Sequence, residues 1–238
     1  ASRRKSDPGS EDAAPCRVKA ELGYIREWNF QASTAQICAL GLRRVKDGER
    51  GASFNGVIFP APDNMEGFDA RENGYKRESV PVEMVELLAW QELPEDASIF
   101  VYVPYAPDVV EKYGVDPKTK LPYCSGINVP TDLQAHEGAG LGLKPPSLDY
   151  PILQTYIDVV LSGCLEYGED FAREFIQTTF LWTPFWLNER ELSRRPWLHQ
   201  KQYAIIDALL KETLPGYFPH RKLNSEYAVL FHSTDFRN

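Results

Sequence analysis

Little in this chain suits metal, redox or nucleic-acid chemistry. It has 4 cysteines and 4 histidines among 238 residues. Cys16, Cys38, Cys124 and Cys164 are widely spread and form no C-x-x-C pair, which excludes the usual zinc and dithiol spacings. They are expected as small buried hydrophobes or free thiols rather than as a disulfide framework. His136, His199, His220 and His232 show neither H-E-x-x-H nor another i, i+4 ligand spacing, so no metal and no cofactor is expected. Basic charge is also short: 26 Lys and Arg stand against 34 Asp and Glu, a formal net charge of -8. Phosphate neutralisation needs a basic face, and Arg3-Arg4-Lys5 or Arg43-Arg44-Lys46 does not make one, so no nucleic-acid partner is expected.

Long apolar runs are absent too. None approaches the ~20 residues of a spanning helix, and Ile99–Val103 is of strand length. A soluble, intracellular protein of the cytoplasm or of an organelle such as the plastid is expected. The opening Ala1-Ser2-Arg3-Arg4-Lys5 lacks the apolar core of a signal peptide. The glycine run Gly138-Ala139-Gly140-Leu141-Gly142 follows no strand and lacks the Lys-Ser/Thr of a phosphate loop. It is read as loop.

What is present is an ordinary globular composition, 43% hydrophobic and 25% charged. Residues 1–15 are polar and predict a mobile arm. Alternating polarity then predicts strands at Cys16–Leu22, Gly23–Phe30, Ala35–Val45, Phe54–Pro60 and Ser98–Tyr105. The period changes in the last third. Ile152, Tyr156, Val159, Val160 and Cys164 predict an amphipathic helix from about Pro151 to Gly168, followed by helices over Phe171–Thr179 and Trp197–Thr213. Trp182–Trp186 reads as an aromatic loop and Tyr227–His232 as a strand. Strands first and helices last make an α+β arrangement, with a domain over 16–180 and a C-terminal extension over 181–238.

One stretch points to a chemistry: Phe68-Asp69-Ala70-Arg71-Glu72-Asn73-Gly74-Tyr75-Lys76-Arg77. It predicts a short helix, capped by Asp63 or Asn64 and stopped by Asn73-Gly74, turning into a strand. Glu72 would sit at the helix end beside the sheet, with Tyr75 close by. Partial desolvation there suits a general base. The plainer alternative is a solvated charge cluster.

Three stretches in this order resemble the gamma-glutamylcyclotransferase superfamily. They are Cys16–Phe30; Asn55–Phe59 followed by Phe68–Arg77, similar to the family's "G-V-x-F … L-D-x-R-E-x-G-Y-x-R"; and Phe100–Val103 followed by a helix opening near Tyr150–Leu153. The resemblance implies a small mixed β-barrel with flanking helices and, beyond it here, a helical C-terminal extension. It implies cleavage of a γ-glutamyl amide, in glutathione or a γ-glutamyl amine, to 5-oxoproline. Glu72 would be the general base and then acid, with Tyr75 and Tyr105 as substrate contacts. The family's Tyr-Gly-Ser loop does not occur here; Tyr102-Val103-Pro104-Tyr105 lacks its glycine. Family spacing would put that loop just upstream of Ala1, and turnover would depend on it. The alternative is a non-catalytic member serving as a binding or structural subunit. Its protein partner would be engaged through the extension's Trp182, Phe185, Trp186, Trp197, Tyr217 and Phe218.

Overall fold

A computed structural model of the chain describes residues 9–32, 35–62, 64–72, 75–89, 92–94, 96–104, 140–190, 201–223 and 226. The strands are β1 (Ala14–Val18), β2 (Tyr24–Ala32), β3 (Ile37–Arg44), β4 (Phe54–Ile58), β5 (Tyr75–Val80), β6 (Val85–Leu87), β7 (Ile99–Pro104), β8 (Gly140–Leu143), β9 (Ile152–Leu153), β10 (Thr179–Phe180), β11 (Trp186–Asn188) and β12 (Lys222–Leu223). The helices are α1 (Glu66–Arg71), α2 (Gln154–Leu165), α3 (Glu169–Gln177) and α4 (Tyr203–Thr213). The α+β character stands.

The barrel does not. The described strands make four small open sheets, ordered β4-β1-β6, β10-β2-β3 (with β8 also on β2), β12-β11-β9 and β5-β7. Closure needs an unbroken ladder around the whole circumference, and the outer edge of β3 shows why the ladder stops. Leu40's carbonyl accepts the Tyr75 hydroxyl at 3.1 Å, and Leu40 gives Tyr156 a backbone hydrogen bond. Two residues earlier, the Cys38 N–H donates to the Pro151 carbonyl at 2.9 Å. Side chains and a loop answer the groups that a further strand would need. At Gly41 an added Cβ would come within 2.7 Å of the Pro104 ring, so β7 approaches this edge by packing.

β2 is the spine. It pairs antiparallel with β3 and β8 and parallel with β10, and its first eight residues are all buried. Strand alternation puts Arg26 and Trp28 on one face and Glu27 and Asn29 on the other. Trp28 meets Tyr156 and Trp182 edge-on, at 5.7 and 5.3 Å between ring centroids. It belongs to one core cluster with Ile157, Leu161, Phe175, Ile176, Trp182, Trp186, Ile206 and Leu210. Trp182 and Trp186, read from the sequence as an aromatic loop, are therefore buried in that core. A smaller cluster of Tyr24, Phe54 and Val103 lies apart from it.

Three local expectations need correction. β1 ends at Val18, and Ala20–Leu22 is a 3-10 turn closed by Gly23 at φ 77°. Part of the glycine run is strand, since β8 pairs with Phe30 and Ala32 of β2. Helix α2 begins at Gln154 instead of Pro151, because Ile152 and Leu153 are drawn into a parallel pairing with Trp186 and Leu187. The strand expected over Tyr227–His232 lies outside the described residues.

Candidate functional site

The corner of interest starts with Asn64, whose Oδ1 accepts the Glu66 N–H at 2.8 Å as α1 opens. Helix α1 has six residues, too few to be stable alone. It is held by Phe68, which is buried against Phe59 at 6.2 Å. At its end Glu72 has φ -84° and ψ 45°, and its carbonyl accepts the Tyr75 N–H at 3.0 Å. This is the expected tight passage from helix to strand. Asn73 and Gly74 lie outside the described residues.

The Glu72 side chain is 13% exposed, with Arg71 Nε 3.2 Å from its Oε1. The Arg71 guanidinium also lies over the Phe68 ring at 4.8 Å. The charge of Glu72 reaches three phenols, those of Tyr75, Tyr102 and Tyr156. Burial, with added repulsion from Glu72, pushes all three upward, Tyr156 to about 12 and Tyr75 well above the ordinary tyrosine value. They are neutral throughout the physiological range. Tyr75 gives its proton to Leu40 and packs against Phe30 at 4.4 Å, while Tyr102 gives its proton to Asp69 at 2.7 Å. Arg77 faces the other Asp69 oxygen at 3.5 Å. Arg71 is thus the partner of Glu72, and Arg77 that of Asp69.

No family model, curated protein or solved structure matches the chain. The site is read from its own atoms.

The structure brings together Glu72 and Tyr75, as the spacing suggested. Tyr105, the other expected substrate contact, lies outside the described residues. Sequence reasoning passed over Tyr102 and Tyr156. Tyr156 was visible only as one of the apolar-face positions of a helix, and Tyr102 only as part of an alternating strand. Both reach the corner through tertiary packing, which periodicity does not record. Among the described residues, no group of three or more His, Cys, Asp or Glu could hold a metal ion. Among them also, no helix is long and apolar enough to cross a membrane.

A separate cleft of about 440 Å³ is lined by Glu27, Asn29, Arg43, Lys46, Lys144 and Leu181, among others. It lies on the face of β2 turned away from Trp28. Arg43 forks across its floor between Glu27 (Nη2 at 3.0 Å) and Glu49 (Nη1 at 2.7 Å). None of the residues around Glu72 lines it.

Proposed function

We propose that the chain is a gamma-glutamylcyclotransferase-type protein that acts on a small γ-glutamyl amide, with Glu72 as its proton carrier. The observation that carries this reading is a carboxylate withdrawn from bulk water at a helix-to-strand corner, its charge reaching three neutral phenols. Glu72 takes a proton from the substrate's α-ammonium. The freed amine attacks the γ-carbonyl carbon, forming the ring C–N bond and a tetrahedral oxyanion. Collapse of that intermediate breaks the original C–N bond, the protonated Glu72 returns its proton to the departing amine, and the surplus proton of the ring nitrogen passes to that amine as well. The products are 5-oxoproline and the amine as its ammonium. Because attack is intramolecular, the protein has to supply proton transfer and a folded substrate rather than capture a second reactant.

The test is release of 5-oxoproline from glutathione and from a panel of γ-glutamyl amines, with Glu72→Gln beside the parent chain. Gln keeps the shape and loses the carboxylate that accepts and returns a proton. Full turnover by that variant removes Glu72 from the chemistry. A non-catalytic binding subunit is the competing reading; of its docking aromatics Trp182 and Trp186 are 6% and 0% exposed, Tyr217 is 40% exposed, and Trp197 lies outside the described residues.

A further inference from the structure

We infer that Asp69 is a positioning residue for Glu72, acting by seating α1 on a cross-strand pair of the β5-β7 ribbon. The inference rests on the reading of Glu72 given above. Arg77 and Tyr102 are register partners across that ribbon, and Asp69 engages both, Tyr102 Oη at 2.7 Å and Arg77 Nη2 at 3.5 Å. Tyr75 pairs with Pro104 two positions further along the same ladder, so Tyr75 and Arg77 share a face. Asp69 precedes Glu72 by three residues, the spacing of neighbours on one side of a helix. One carboxylate therefore ties the helix that ends at Glu72 to the strand pair that carries Tyr75.

The turn in which the Glu72 carbonyl accepts the Tyr75 N–H at 3.0 Å holds the backbone, and Asp69 adds a side-chain tie. Phe68 anchors α1 through apolar packing, which resists lifting of the helix but not a small slide along the ribbon. The hydrogen bond from Tyr102 is directional and comes from a residue only 6% exposed. Burial and the Asp69 carboxylate both hold that phenol in its protonated, donating form. Misplacement of a reacting group by ~1 Å can cost about a hundredfold in rate, so a loosened seat should be read in kcat.

The experiment compares Asp69→Ala, Tyr102→Phe and Asp69→Asn in 5-oxoproline release. It also follows the carboxyl carbon-13 resonance of Glu72, assigned by its disappearance in Glu72→Gln. Tyr102→Phe removes the hydrogen bond without changing any charge, and Asp69→Asn keeps an acceptor for Tyr102. The expected fall in kcat is about a hundredfold for Asp69→Ala, about tenfold for Tyr102→Phe and about threefold for Asp69→Asn, with KM little changed. The Glu72 resonance should shift in the same order. An unmoved resonance in Tyr102→Phe overturns the inference, whatever happens to turnover. So does Asp69→Asn as damaging as Asp69→Ala, which would make the effect one of charge alone. If no variant, parent included, releases 5-oxoproline, the resonance still decides the positioning role while the proposed activity fails separately.

Discussion

Arg26 and Glu72 are both ionisable groups withdrawn from water, and they are held in opposite ways. Arg26, 7% exposed, has a neutral acceptor for each of its nitrogens: Thr179 Oγ1 at 2.9 Å, the Asn55 carbonyl at 2.6 Å, Asn55 Oδ1 at 3.1 Å, the Phe175 carbonyl at 3.0 Å and Thr178 Oγ1 at 2.7 Å. Its guanidinium lies over the Phe175 ring at 3.8 Å. Two of these acceptors belong to the last turn of α3 and its C-cap, where the helix dipole favours a cation. Desolvation brings Arg26 down to about 9, which leaves it charged at neutral pH. Each nitrogen has an acceptor whose place the fold fixes, so this ion joins β2, β4, β10 and α3. Glu72 is met by the guanidinium beside it in sequence, and its charge is felt by Tyr75 and Tyr102, whose hydroxyls donate to the Leu40 carbonyl and to Asp69. Arg26 binds distant elements together, whereas the Glu72 ion pair joins sequence neighbours.

The contrast is broken most directly by exchanging the readouts. Glu72→Gln should lower 5-oxoproline release by about 10²–10⁴-fold, the range of general acid–base catalysis, while chemical denaturation shifts by less than about 1 kcal/mol. Arg26→Ala should do the reverse in kind. It strands the Asn55 and Phe175 carbonyls and removes the packing on Phe175, so a loss of about 3–5 kcal/mol is expected, measured by urea unfolding. A Glu72→Gln chain that unfolds as readily as Arg26→Ala would show that the corner is structural after all.

How far the sequence foretold these two regions follows from where their partners lie. The Glu72 corner is local. Helix and strand fall within Glu66–Val80, so their order was readable from spacing, whereas Tyr102 and Tyr156 arrive by tertiary packing. The Arg26 site is not. Alternation gives Arg26 the same face as Trp28, but its acceptors are Asn55, 29 positions away, and Thr179, 153 positions away. No periodicity could show that a guanidinium would be satisfied there. The same limit hid β9, β11 and β12. Strands of two or three residues carry no alternation, and Trp186 looks like loop until its parallel partner Ile152 is in place. The barrel came from resemblance alone, and the edge of β3, closed by Tyr75, Tyr156 and Pro151, overrides it.

A second saturated network sharpens the comparison, at smaller cost. Asp207 receives Arg221 Nη2 at 2.8 Å and Arg190 Nη1 at 3.0 Å, while Arg190 also grips the buried Asp158 at 2.6 Å. This ties α4 to α2. Asp207→Asn keeps the shape and weakens the charge-assisted bonds to two arginines, so a loss of about 1–3 kcal/mol is expected at pH 7, measured by urea unfolding.

Acid titration gives the finest discrimination, because two carboxylates on the same side of the molecule should respond with opposite sign. Glu189 accepts the N–H groups of Gln154 and Thr155 at 3.0 and 3.1 Å, and the Thr155 hydroxyl as well, at the opening of α2. Burial outweighs those bonds and raises its folded value above 4.5. A raised carboxyl favours the folded state when protonated, so its contribution grows as the pH falls through the folded value toward 4.5. Burial would raise Asp207 too, but hydrogen bonds from Arg221 and Arg190 outweigh it and the folded value lies below 3.8. Its stabilisation is complete above 3.8 and is lost as the pH falls through the lower folded value. The stability difference between the parent and Glu189→Gln should therefore rise on mild acidification. That between the parent and Asp207→Asn should stay level there and shrink only below 3.8. Urea midpoints collected from pH 7 to pH 3 separate the two curves, and parallel curves would show that hydrogen bonding, rather than burial, governs Glu189 as it does Asp207.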